Sequence, residues 1–269
     1  MNRVNVADAL TAAAAGLAVV AAGAGLSVPT LYRDAPFWVQ QARGTDVATL
    51  FLAVPLLAIA LLRARAGSVV GRLCVLAGLL YLVYNYAIFA FSVAMNPLTA
   101  VYIAILGLAV WSVALSVPAL SLGEMARALE GRVPQRSGAI VLVVVGVLFG
   151  LLWLGQIASA TTNGTLPPDL VRAGLPTNPV YALDLGLFLP LCIASGIAVW
   201  RGRPAGLAAF TVPMLIWLAL TSAGIVAAFV FEAQAGEVVP LPVAILVAAI
   251  GVVTAAIPAT TAARRAPVR

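Results

Sequence analysis

Apolar positions in this chain fall in long unbroken runs, without the spaced stripes of a soluble helix or the alternation of a strand. Eight runs can be drawn, at about 8–28, 46–62, 73–94, 98–120, 137–157, 182–200, 206–231 and 240–261. A bilayer core about 30 Å thick takes roughly 20 helical residues to cross, and each run is of that order. Unpaired backbone amides are costly in lipid, so helices are the expected solution, and the alternating strands of a membrane barrel are not visible. The pattern predicts an all-α integral membrane fold of eight transmembrane helices.

The polar punctuation between the runs repeats itself. Asp46, Arg63 and Arg65 recur as Asp184, Arg201 and Arg203, and Ala66-Gly67 recurs as Ala205-Gly206. Ala104-Ile105-Leu106 followed by Pro118 recurs as Ala244-Ile245-Leu246 followed by Pro258, so the offset drifts only from 138 to 140. A self-match at so long a period points to duplication of one structural unit. It divides the chain into four-helix repeats at 1–136 and 137–269. An even number of crossings in each makes the repeats parallel, related by a pseudo-twofold axis along the membrane normal. Each repeat has its longest outer loop between its first two helices, at about 29–45 and 158–181, the second reading as an irregular Pro/Gly-rich lid. Phe37 and Trp38 in the first are expected at the headgroup level.

Charge adds orientation. The chain is 63% hydrophobic and 9% charged, with mean hydropathy +1.10 and net charge +6. Arg3, Arg63, Arg65, Arg72, Arg127, Arg132, Arg136, Arg201, Arg203, Arg264, Arg265 and Arg269 fall on one alternate set of ends and loops, against Arg33, Arg43 and Arg172 on the other. By the positive-inside rule both termini are expected in the cytoplasm, and the protein in the cell membrane of a bacterium. The basic balance is thus an orientation signal, and no nucleic-acid partner is expected. Residues 8–28 could be a signal peptide, but their counterpart at 137–157 favours a retained helix. In that helix Gly16, Gly23 and Gly25 are expected to admit a close neighbour.

The chain has no histidine and no lysine, which removes imidazole-ligated metals, imidazole bases and Schiff-base chemistry. Cys74 and Cys192 stand alone in separate runs, and no phosphate- or dinucleotide-binding loop is present. No cofactor and no metal site is predicted.

Candidate site residues cluster on the third run. At 100° per residue Tyr81, Tyr84, Asn85, Ser92 and Asn96 share one side within about 120°, with Tyr86 pointing elsewhere. Such a stripe either lines a cavity or glues helices together. Asp46 and Asp184, at matched outer helix ends, either bind a cation or proton or merely stabilise helix N-termini. Arg33 and Arg43 are placed to bind an anionic group or to pair locally. Gln156 and Glu232 lie near outer ends and could join a site. Pro55, Pro118, Pro190, Pro213 and Pro258 are expected to kink or open their helices.

The segments Tyr81–Leu98 and Asn178–Pro190 resemble those of a group of uncharacterised bacterial multi-pass membrane proteins. The resemblance implies an eight-helix fold and brings no activity with it. Three functions remain open. One is binding or transport of a small molecule or ion at the interface of the two repeats. Another is an accessory, structural or sensing subunit that meets a membrane-protein partner, a second copy or lipid. The third is a lipid-modifying enzyme relying on carboxylates.

Overall fold

A computed structural model describes residues 3–121, 135–201 and 209–263. Arg127, Arg132, Arg203, Ala205-Gly206, Arg264, Arg265 and Arg269 lie outside them. The described residues form helices α1 (Arg3–Ser27), α2 (Pro36–Arg65), α3 (Val69–Ser92), α4 (Thr99–Ser116), α5 (Gln135–Asn163), the short α6 (Pro168–Ala173), α7 (Pro179–Trp200), α8 (Thr211–Gln234) and α9 (Leu241–Ala263), with no strand among them. All but α6 are long and apolar enough to cross a membrane. This is a multi-pass, all-helical membrane protein.

The main departure from the hydrophobic pattern is in α2. The polar stretch Phe37–Thr45, expected as loop, is helical, and α2 starts at Pro36. Proline suits the first helical turn, because its missing N–H would be unpaired there anyway. The polar residues that follow are tolerated because several face a cavity described below and others a packed seam.

Two prolines inside long helices are absorbed in the same way. In α2 a π turn at Thr49–Ala53 precedes Pro55, and in α7 a π turn at Asp184–Phe188 precedes Pro190. A proline ring crowds the carbonyl of the turn before it, and a wider turn makes room without breaking the helix. Aligned on this shared device, Asp184 corresponds to Thr49 and not to Asp46. Pro118 lies in the 3-10 turn that ends α4. Pro213 sits in the first turn of α8, where it removes no helical bond. Pro258 is inside α9.

Helix α3 is the most enclosed span and packs against α2, α4 and α8. Small residues set the close approaches. A Cβ at Gly71 would meet the backbone of Ala64, one at Gly78 the side chain of Leu57, one at Gly146 Ile193, and one at Gly196 Val143 and the Ala139 carbonyl. The expectation for α1 needs correcting: a Cβ added at Gly16 or Gly23 would meet no other element within 4 Å, and only Gly25 faces a neighbour. The α1–α4 contact is made instead by alanines and by a hydroxyl pair, Thr11 and Ser112, at 2.7 Å.

Across the two halves, α2 lies closely along α8, whereas α7 touches α3 and α8 lightly. Under a twofold relation of the halves, α7 would pack on α3 as α2 packs on α8. It does not, and space remains between α7 and the α3–α8 pair.

At the end rich in arginine, Asp8 of α1 is buried and receives Arg72 at 2.5 Å and the half-exposed Arg65 at 3.5 Å. This ties α1 to α2 and α3. Asp8→Ala is expected to lower stability by about 1–3 kcal/mol, read as thermal unfolding in detergent, since two guanidinium groups lose their acceptor. Asp8→Asn, which keeps an acceptor oxygen, should cost less.

Candidate functional site

The space between the halves is a cavity of about 630 Å³. It lies toward the arginine-poor end and is walled by α2, α3, α5, α7, α8 and α9, with α6 across its rim. Exposed Asp169, Arg172 and Val238 are among its lining residues, so it reaches the surface at this end. Both halves contribute polar groups: Gln41, Thr45, Tyr81, Tyr84 and Asn85 from the first, and Asp184, Thr221, Ser222 and Glu232 from the second.

On the α2–α3 side, the π turn organises the polar wall. Thr49 opens the turn, and its hydroxyl lies 2.7 Å from the Thr45 carbonyl and 3.0 Å from the Tyr81 hydroxyl. Asn85 donates to Thr49 at 3.3 Å, and Tyr81 reaches the Thr45 carbonyl at 3.1 Å. Asn85 and Tyr81 are buried. They therefore link α3 to α2 and line the cavity at once.

On the α7 side, Asp184 is buried at 6% exposure. The Trp153 indole donates to its Oδ2 at 2.8 Å, while its Oδ1 has no hydrogen-bond partner. Tyr84 comes near the same carboxylate and forms an aromatic cluster with Trp217 and Phe188. The ring centroids lie 5.0 Å apart for Tyr84–Phe188 and 4.6 Å apart for Phe188–Trp217. The indole N–H groups of Trp38 and Trp217, both lining residues, are likewise buried without partners.

Near the rim, Gln41 donates to buried Glu232 at 2.5 Å. Arg172 bonds Glu237 at 3.0 Å and lies 4.3 Å from the centroid of the Phe37 ring. Phe37 and Trp38, expected at the headgroup level, both line the cavity. Gln156 does not line it and accepts from the Tyr181 hydroxyl.

Several other expected members are elsewhere. Asp46 does not line the cavity, nor does it stabilise a helix N-terminus. It is buried, and Tyr32 donates to its Oδ2 at 2.5 Å beside Gly25 of α1. Burial and then the charge of Asp46 push the Tyr32 hydroxyl well above its ordinary range, which keeps it a donor. Arg33 is exposed, and Arg43, though partly buried, lies outside the cavity. Asp34 accepts from the Ala94 backbone at 2.8 Å, and burial pushes its carboxyl above the usual range against that bond. The polar stripe on α3 also ends early. The helix stops at Ser92, and Asn96 sits in the following turn, accepting from the Leu98 N–H at 2.8 Å.

Sequence reasoning missed Trp153, Trp217, Thr221, Ser222 and Arg172. The Thr221-Ser222 pair in an otherwise apolar run was the available signal. The tryptophans carried none, because an indole in a membrane helix reads equally as lipid-facing. Among the described residues no group of three His, Cys, Asp or Glu could hold a metal. No protein-family model matches this chain, and no match was found among curated proteins or solved structures.

Proposed function

We propose that this protein binds a small molecule in the cavity between its halves and carries it across the cell membrane, with both termini cytoplasmic and the cavity facing outward. One observation carries the reading: a surface-reaching space of drug-ligand size, with polar groups from both halves converging on it. Interhelical glue alone would leave a packed seam there. The π turns at Thr49 and Asp184 supply points where α2 and α7 can flex around a bound molecule. Orientation is supported by the arginine distribution.

Thr221→Cys in a Cys74→Ala background tests this in intact cells, using a membrane-impermeant thiol reagent. Labelling from outside is expected, with Val238→Cys as a positive control. Labelling at Val238→Cys alone would remove the outward-open cavity and the proposal with it.

A second reading, an accessory subunit, draws on Gly107, Gly150 and Gly155, where an added Cβ would meet no other element within 4 Å. Small residues facing lipid can admit a partner helix. Cross-linking that captures one defined membrane protein through α4 or α5 would favour it.

A further inference from the structure

We infer that the molecule taken up by this cavity is an organic cation, an ammonium on an apolar body, with its charge held by Asp184. The inference rests on the binding reading above and deepens it.

Three observations converge. First, Asp184 is a buried carboxylate in a wall of the cavity, held at one oxygen by the Trp153 indole with Tyr84 close by, and no basic residue among the described ones pairs with it. A buried carboxylate with no countercharge is incompletely compensated, and an ammonium supplies that charge together with a charge-assisted hydrogen bond. Second, the rings beside it are electron-rich. Tyr84, Trp153 and Trp217 line the same cavity, and the faces of such rings attract cations. Third, the charge on the lining is of one sign inside. Asp184 and Glu232 are buried, while Arg172, the lone basic residue among the described lining, is at the rim and engaged by Glu237, Asp169 and the Phe37 ring. An anion that passed the rim would face Asp184 and Glu232 with no basic residue among the described lining to pair with.

Size separates an organic cation from a bare ion. About 630 Å³ far exceeds one dehydrated metal ion, and a divalent metal requires several oxygen ligands at once. Ile88, Phe89, Val145 and Val247 give the rest of the cavity an apolar lining suited to an aromatic or aliphatic body.

The test titrates the full chain in lipid nanodiscs with three probes of like shape, following tryptophan fluorescence. They are 2-phenylethylammonium, 2-phenylethanol and 3-phenylpropanoate. The ammonium is expected to bind at least about tenfold more tightly than the alcohol, and the carboxylate most weakly. Asp184→Asn should abolish the preference for the ammonium over the alcohol. Equal binding of ammonium and alcohol, or a preference that survives Asp184→Asn, overturns the cation assignment and leaves a neutral small-molecule site standing. Binding of none of the three overturns the cation assignment, and the cysteine-labelling experiment then decides whether the cavity reading falls too. Should Asp184→Asn fail to fold, the ranking of the three probes on the unmodified chain still decides the charge preference.

Discussion

Gly44→Ala should unfold at markedly lower temperature than the parent chain, and Gly44→Val should fail to assemble. A Cβ built at Gly44 would lie 2.5 Å from the Ala228 Cα, and closer still to its backbone nitrogen. Carbon atoms in good contact sit about 3.5–4.0 Å apart, and the obstacle here is main chain that no rotamer change can move aside. The two helices would have to separate, and α2 against α8 is the extensive contact that joins the halves. Overpacking of this kind costs about 1–3 kcal/mol for a methyl and more for a branched side chain. Thermal unfolding in detergent reads the loss. Gly16→Ala and Gly23→Ala are the matched controls. A Cβ added at either would meet no other element within 4 Å, so both should hold or gain stability, by up to about 1 kcal/mol from better helix propensity. An unchanged melting temperature for Gly44→Ala would mean that α2 and α8 do not meet as described. Because α2 and α8 also form two walls of the cavity, ligand binding is expected to be lost along with the contact.

The second large effect is expected at Gly25→Ala. A methyl there would crowd the Asp46 carboxylate, 2.8 Å from its Cγ, and overlap the Tyr32 hydroxyl. Asp46 can rotate away only by giving up its one strong donor in a buried site. An unsatisfied buried carboxylate or hydroxyl costs about 1–3 kcal/mol. The sign of the coupling distinguishes this from generic crowding. In an Asp46→Ala background the obstructing carboxyl is gone, so Gly25→Ala should cost clearly less than it does in the parent. Equal costs in the two backgrounds would show that the glycine is needed for some reason other than the Tyr32–Asp46 pair.

The two aspartates show where reading by position reached its limit. In sequence they are twins, each 17 residues before an arginine at the other end of its helix. In space, Asp46 sits beside Gly25 of α1 and accepts a hydrogen bond from the Tyr32 hydroxyl, while Asp184 lines the cavity and accepts from the Trp153 indole. Asp46 lies three residues before its π turn whereas Asp184 opens its own, so the two stand at different positions around their helices, and that offset is invisible in a hydropathy pattern.

The sequence by itself determined the eight helices long and apolar enough to cross a membrane, because a run of apolar residues about 20 long has one low-cost environment and one backbone conformation within it. It also pointed to Tyr81, Tyr84 and Asn85, because polar side chains in such a run must face protein or water and their spacing places them on one side. Only the tertiary structure decided that α2 begins at Pro36, that Trp153, Trp217 and Arg172 belong with those residues, and that Asp46, Arg33 and Arg43 do not. Each of those outcomes depends on which helix stands next to which. Close approach at Gly44 brings α2 onto α8, and the lack of a matching contact for α7 leaves the cavity open. Apolar surface is nearly indifferent to its apolar neighbour in a membrane, so helix pairing rests on shape and on a few polar contacts that no single segment encodes.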